Sequence, residues 1–337
     1  MAKVGVVGSG TWGSALTLVL SENGHDVTVW SKFQDEIDML NRTHEHNKLP
    51  GVILPDSVCF TTDLKAAVEG MDLVVIAVPS VFVRNTAREM KPFVKEGQIL
   101  TCVSKGIEES TQMILSDQIE QEIPQAVVTV LSGPSHAEEV GKRIPTTLVV
   151  GAKCQNVARK VQDIFMSNVL RVYTSPDMLG IEIGAALKNV IALAAGVLDG
   201  VGFGDNTKAA LITRGMAEIA RLGVAMGGNA HTFYGLSGIG DLIVTCESRH
   251  SRNRMAGYLI GQGRTLQEAL DEVGMVVEGV YSAKAALALA QKYGINMPIV
   301  ETVNQVLFDN LPVMEAVNNL MSRNKKDENS LVNWDEI

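Results

Sequence analysis

The chain has 337 residues, 46% of them hydrophobic and 20% charged, with a formal net charge of −9. That length suggests about two domains with ample core. The acidic balance excludes nucleic-acid and membrane-surface binding, which need basic faces, so any bound anion must meet locally concentrated cations. The cysteines Cys59, Cys102, Cys154 and Cys246 show no CxxC spacing and read as small core or site-edge residues. A reducing, cytoplasmic compartment follows from that usage. The apolar N-terminus is better explained by its glycines and first strand than as a signal peptide. No uninterrupted apolar run reaches the length of a membrane span. The histidines form no HExxH pattern. His44 and His46 stand in a polar loop and read as solvated, so no structural metal is expected.

Taken in chain order, the first half alternates β-rich and helical runs. Strands are predicted over residues 3–7, 26–30, 73–78, 99–103, 127–131, 146–150 and 170–173. Several are continuous Val/Ile/Leu runs, as in strands covered on both faces. Helices are predicted between them over 14–23, 35–41, 64–69, 81–90, 111–121 and 155–166. The alternation implies βαβ units and a doubly wound, mostly parallel sheet. After about Ser175 the strand signal stops. Helices are predicted over 178–198, 207–226, 230–234, 265–273, 282–293, 299–308 and 312–321, and the long apolar first of these reads as the core of that half. The expected fold class is α/β, a Rossmann-like sheet domain over 1–177 followed by an all-helical domain over 178–323. A polar tail over 324–337 is expected to fray. The cleft between the domains is the expected ligand site.

Gly8-Ser9-Gly10-Thr11-Trp12-Gly13 is a GxGxxG motif that directly follows the first strand and opens a helix. Gly8 permits the tight turn, Gly10 lets backbone approach a pyrophosphate, and Gly13 allows close helix packing. The helix N-terminus offers free N–H groups to the phosphates. A strict NAD enzyme usually carries an acid at the end of its second strand. Here Trp30 is followed by Ser31 and Lys32, so NADP(H) is expected to be accepted and Lys32 to pair with its 2′-phosphate. Asp35 and Glu36 come a little later and remain able to point at the ribose, and a solvated Lys32 is the plainer alternative. Strand ends at Ala77-Val78-Pro79-Ser80 and Val103-Ser104-Lys105-Gly106 lie on the edge where such sheets bind ligands. Lys105 is read as a substrate cation. The turn Ser132-Gly133-Pro134-Ser135-His136-Ala137 offers N–H groups and a hydroxyl to an anion or the nicotinamide edge, or is an ordinary turn with Ser135 as N-cap.

Lys188 stands inside the apolar run 178–198, where Glu182 is the only other ionisable group. A buried ammonium is costly unless it is paired or its pKa falls, which suits proton transfer. The plainer reading is a lysine that snorkels from a helix end. Its helical neighbours Gly184, Ala185 and Ala192 are small and would leave room for a ligand. Gly238-Ile239-Gly240-Asp241 places a carboxylate between small residues, where it could orient the amine. Ser251-Arg252-Asn253-Arg254, preceded by Thr245, matches a phosphate or carboxylate, or a solvated helix end. A hydride-carrying coenzyme, a lysine and an anion clamp together suit interconversion of a ketone and a secondary alcohol.

GSGTWG, AVPS, SKGIE, SGPSHAEE, the block from Gly184 to Gly215, GLSGIGDLIVTC, SRNR and VVEG closely resemble the bacterial NAD(P)-dependent sn-glycerol-3-phosphate dehydrogenase family. The resemblance runs from the first strand to about Lys326. It implies reduction of dihydroxyacetone phosphate to glycerol 3-phosphate, a phospholipid precursor, with NADP(H) or NAD(H). It implies Lys188 as proton donor or acceptor with Asp241 beside it, and Lys105 on both coenzyme and substrate. Gly133 and Ser135 would line the substrate and Ala137 the coenzyme. Arg252 would bind the phosphate and reach the coenzyme, aided by Ser251, Asn253, Asn189 and Thr245. Thr11, Trp12 and Lys32 would contact coenzyme phosphates and ribose, and Val276 and Glu278 would close over it. Similar enzymes are homodimers through the helical domain. Two other readings compete. A β-hydroxyacid dehydrogenase or ketopantoate-type reductase would recognise a carboxylate, and a redox-sensing NAD(H)-binding regulator would bind coenzyme without turnover.

Overall fold

A computed structural model describes residues 1–325, 327 and 328; the expected tail from Asn324 falls mostly outside them. Eight strands form one sheet: β1 (Lys3–Val7), β2 (Asp26–Trp30), β3 (Cys59–Thr61), β4 (Leu73–Ile76), β5 (Ile99–Cys102), β6 (Val127–Ser132), β7 (Thr146–Ala152) and β8 (Leu170–Ser175). Their spatial order is β3-β2-β1-β4-β5-β6-β7-β8. Every pair is parallel except β6 with β7. The chain leaves β1 in one direction and returns to its other side at β4. That reversal is the switch point at which open α/β sheets bind ligands, and the GxGxxG turn follows β1 there. All seven expected strands are present. The eighth, β3, holds three residues, too few to show a period of two.

The helices of the first half are α1 (Thr11–Glu22), α2 (Gln34–Thr43), α3 (Val83–Met90), α4 (Leu115–Glu122), α5 (Ala137–Gly141) and α6 (Gln155–Phe165). The helix expected over 64–69 is instead a pair of turns, with Val68 and Glu69 N–H both donating to the Lys65 carbonyl. The helix expected from 111 begins only at Leu115, because Gln112 adopts a left-handed φ of 61°. The second half is helical throughout: α7 (Met178–Val201), α8 (Asp205–Ala225), α9 (Ala230–Phe233), α10 (Asp241–Glu247), α11 (Arg252–Gly261), α12 (Leu266–Val273), α13 (Glu278–Tyr293), α14 (Pro298–Phe308) and α15 (Val313–Met321). The sequence reading missed α10 and α11.

Helix α7 begins at Asp177, whose carboxylate accepts from Gly180 N–H at 2.9 Å, and ends at Gly202 with φ 89°. By length and composition it could cross a membrane, but Glu182 and Lys188 interrupt its apolar run and 94% of its apolar window is buried inside the fold, as in a core helix. Helices α8, α10, α11 and α13 pack around it. Its crossing with α11 is a backbone-to-backbone contact. A Cβ on Gly257 would lie 1.9 Å from the Leu193 carbonyl oxygen, and one on Gly196 would lie 1.9 Å from that of Arg254. The glycines therefore fix how far α11 sits from α7. Backbone cannot swing aside as a side chain can, so Gly257→Ala should cost about 1–3 kcal/mol or more. Gly204→Ala, where a Cβ meets nothing within 4 Å, should cost less than about 1 kcal/mol. Urea denaturation of both variants measures the difference.

Candidate active site

The GxGxxG turn has the shape its sequence implies. Gly8 adopts φ 117° and donates its N–H to the Trp30 carbonyl at 3.0 Å. A Cβ on Gly13 would stand 1.9 Å from the Gly8 carbonyl oxygen, so α1 starts against the turn. A Cβ on Gly10 would meet nothing within 4 Å, so the backbone there faces open space, as close approach of a pyrophosphate requires. Thr11 and Trp12 form the first turn of α1. Lys32 lies exposed just past β2. His46 is not solvated, as expected, but buried, because its Nε2 meets Glu36 Oε1 at 3.2 Å.

The lysine of α7 is buried in place, 5% exposed, and does not snorkel. Lys188 Nζ donates to Asp241 Oδ1 and to Thr245 Oγ1, the latter at 2.7 Å. Lys105 Nζ, arriving from the loop after β5, donates to Asp241 Oδ2 at 2.7 Å and to the Gly133 carbonyl at 3.0 Å. One carboxylate, 1% exposed at the start of α10, thus joins two ammonium groups from the two halves of the chain. Gly184, one of the small neighbours of Lys188, does a different job from the one expected. A Cβ on Gly184 would lie 2.6 Å from the Ser237 carbonyl oxygen. Gly184 admits the backbone of residues 236–240 instead of a ligand, and that segment delivers Asp241 to the amine.

The charges are tuned by this geometry. Burial lowers the Lys188 pKa to about 7, and Lys105 pushes the same way, outweighing the pull of Asp241. Burial pushes the Asp241 carboxyl up, but Lys105 and Lys188 together hold it below the ordinary carboxylate value. His136, missed by the sequence reading, lies within the field of this group. Its Nε2 is buried and makes no hydrogen bond among the described residues. Burial and then Lys188 lower its pKa.

The starts of α11 and α13 carry the remaining residues. Ser251 caps α11 by accepting from Arg254 N–H at 3.2 Å. Arg252 is exposed and donates to the Val276 carbonyl at 3.1 Å. Arg254 is spent on Asp199, to which its Nε donates at 2.7 Å, so Arg252 is the arginine of that motif left for a ligand. Asn253 Nδ2 donates to Asn189 Oδ1 at 3.0 Å, and its Oδ1 accepts from Gly279 N–H at 2.8 Å. Glu278 accepts from Ser80 N–H at 3.0 Å and from the Ser80 hydroxyl, which ties the loop after β4 to α13. Burial raises the Glu278 pKa against these two bonds. Ser135 does not cap α5; its hydroxyl donates to the Gly133 carbonyl at 2.9 Å, and Ala137 is the buried first residue of that helix.

The fold places Lys105, Gly133, Lys188, Asp241 and Thr245 in one bonded group, with Asn189 and Asn253 bonded beside it. Arg252 with Val276, and Glu278 with Ser80, form two further links. Gly8, Gly10, Thr11, Trp12, Gly13 and Lys32 lie at the switch point.

Comparison with known proteins decides the family. The model for the NAD-dependent glycerol-3-phosphate dehydrogenase N-terminus matches residues 3–158, and that for its C-terminus matches 177–318. The chain belongs to the NAD-dependent glycerol-3-phosphate dehydrogenase family. A relative from Agathobacter rectalis named glycerol-3-phosphate dehydrogenase (NAD(P)+) is 63% identical over 99% of this chain and 100% of its own length. One of the same name from Bacillus subtilis is 52% identical over 99% of this chain and 98% of its own. The crystal structure of glycerol-3-phosphate dehydrogenase from Coxiella burnetii superposes with a TM-score of 0.92 at 35% identity, covering 96% of this chain and 99% of that one. A ketopantoate reductase from Ralstonia eutropha shares the fold, with a TM-score of 0.61 at 18% identity over 90% of this chain and 97% of that one. Membership of the dehydrogenase family sets aside both the ketopantoate-type reductase and the non-enzymatic regulator.

Asp241→Ala would leave two facing lysine amines without their anion. The variant should lose about 3 kcal/mol or more at pH 7, as when one partner of a buried pair is removed. Loss of the anion would lower the Lys188 pKa further below about 7, so the deficit should shrink as pH rises toward about 7 and level off above it. Denaturant unfolding at pH 5.5 and pH 7.5 checks the sign; a deficit that grows over that interval would contradict it.

Proposed function

We propose that Lys188 gives and takes the proton in the reversible reduction of dihydroxyacetone phosphate to sn-glycerol 3-phosphate, the NAD(P)-dependent reaction of this family. The observation that carries this reading is the Asp241 carboxylate held between Lys188 and Lys105. When bound, the nicotinamide coenzyme supplies the hydride for the carbonyl carbon and takes it back in the reverse direction. Protonated Lys188 donates to the oxygen of the ketone as it becomes an alkoxide, and neutral Lys188 removes the hydroxyl proton in the other direction. Lys105 adds a second positive charge against the same oxygen. Asp241 and Thr245 fix the position of the Lys188 amine. Arg252, with Ser251, Asn253 and Asn189 around it, holds the substrate phosphate in the manner of a guanidinium–anion pair. Gly133 and Ser135 line the substrate, and Ala137, Val276 and Glu278 border the coenzyme.

The exposed Arg252 guanidinium supports a doubly charged phosphate handle. The division at 177/178 into a coenzyme domain and a helical domain puts the reacting groups at their junction, since Lys105 comes from one side and Lys188 from the other. The product is the backbone of glycerophospholipids, and we place the enzyme at the start of their synthesis, in the cytoplasm, as a homodimer joined through its helical half. An apolar groove between α7, α14 and α15, lined by Val197, Val303 and Val317 among others, supports that contact face.

Two outcomes test the proton-transfer role. Lys188→Ala should lower turnover by about 10²–10⁴ while still binding NADPH, followed by absorbance at 340 nm and by coenzyme fluorescence. Retained turnover would remove Lys188 from the mechanism. The lowered pKa also fixes a sign. Oxidation of glycerol 3-phosphate needs the neutral amine and should rise as pH rises through about 7, whereas reduction needs the ammonium and should fall over the same interval. Profiles of kcat/KM in both directions that run in parallel would contradict it.

A further inference from the structure

The carboxylate of Glu36 lies at the meeting of the glycine-rich turn and the end of β2, and the chemistry above does not use it. Its Oε2 accepts from Ser9 Oγ at 2.7 Å and from Ser31 Oγ, and its Oε1 accepts from His46 Nε2 at 3.2 Å. The three partners are buried, but 23% of the Glu36 side chain stays exposed. The cluster is held from both sides. Gly8 N–H bonds the Trp30 carbonyl, which ties the turn to the strand end. Lys48 N–H donates to His46 Nδ1 at 3.1 Å, so the His46 proton sits on Nε2 and points at Glu36. The bond from His46, aided by those from Ser31 and Ser9, lowers the Glu36 pKa to about 2 against the effect of burial. Glu36 is therefore a fixed anion. A carboxylate offers about four acceptor positions. Three are taken, and the exposed edge keeps one for a further donor.

The place of this anion indicates the donor. In sheets of this kind an acid ending the second strand accepts from the ribose 2′-hydroxyl of NAD, and a 2′-phosphate is accommodated by a cation instead. Here the strand ends Trp30-Ser31-Lys32, without an acid. We propose that Glu36, reaching back from the first turn of α2, takes that role: it favours NAD(H) by accepting from the ribose and opposes the 2′-phosphate of NADP(H). Exposed Lys32, next to Ser31, acts in the opposite sense. The coenzyme balance is then the difference between one buried-edge anion and one surface cation, and both coenzymes are accepted. This rests on the dinucleotide reading of the glycine-rich turn.

The test measures binding apart from turnover. NADH and NADPH are titrated into the protein without substrate, read by coenzyme fluorescence, and kcat/KM is taken for each at 340 nm. Glu36→Gln keeps the size and removes the charge. It should shift the Kd ratio toward NADPH by about tenfold, and Lys32→Ala should shift it toward NADH. A Glu36→Gln variant that weakens both coenzymes equally, or changes neither, would show Glu36 to be only a brace for His46 and overturn the proposal. Should Glu36→Gln fail to fold, Glu36→Asp draws the charge back by one methylene and should shift the ratio the same way by a smaller factor; an unchanged ratio there overturns it too. Wild-type protein that binds neither coenzyme would overturn the dinucleotide reading itself.

Discussion

One carboxylate holds the reactive end of this molecule together. Asp241 accepts from Lys188 of the long core helix and from Lys105 of the sheet, and all three groups sit in a region largely closed to water. Without that anion two facing lysine amines would be left with no counter-charge, and removing one partner of such a buried group costs several kcal/mol. With it, Lys188 keeps an amine that burial and Lys105 have brought close to neutrality. The same contact therefore serves packing and chemistry. It also links the two halves of the chain, since Lys105 and Asp241 are 136 residues apart.

Backbone spacing makes this contact available. Gly184 lets the segment before α10 lie against α7, and that segment ends in Asp241. Gly196 and Gly257 let α11 touch α7, which brings Asn253 onto Asn189, the residue after Lys188. On the other side, Glu278 grips Ser80 and draws the loop after β4 toward the start of α13. Asn253 and Lys188 are thus set by helix contacts with no side chain between them.

Much of this was legible in the sequence. The seven longer strands announced themselves as continuous Val/Ile/Leu runs or short β-rich segments, and β4 is fully buried as such a run requires. The GxGxxG motif implied its own turn, and Lys188 in an apolar helix implied a tuned amine. What stayed hidden depends on tertiary contact. Helix α10 buries Asp241 and Thr245, and α11 buries Asn253 and Gly257, so neither shows the continuous apolar stripe that marks an amphipathic helix. His46 looked solvated because its partner Glu36 is ten residues away on another element. The bond between Ser80 and Glu278 spans 198 residues, and no local pattern encodes it. The role of Gly184 was misread for the same reason: a small residue shows that something comes close, not whether it is a ligand or the chain itself.

The central claim is that burial beside Asp241 and Lys105 leaves Lys188 poised near neutral pH. Nitrogen-15 NMR of lysine-labelled protein would follow each side-chain amine through a pH titration. The account predicts one lysine that titrates near 7, well below the ordinary value of about 10.4, and that vanishes from the spectrum of Lys188→Ala. If every lysine titrates above about 9, the amine is an ordinary structural cation, and the proton must come from elsewhere.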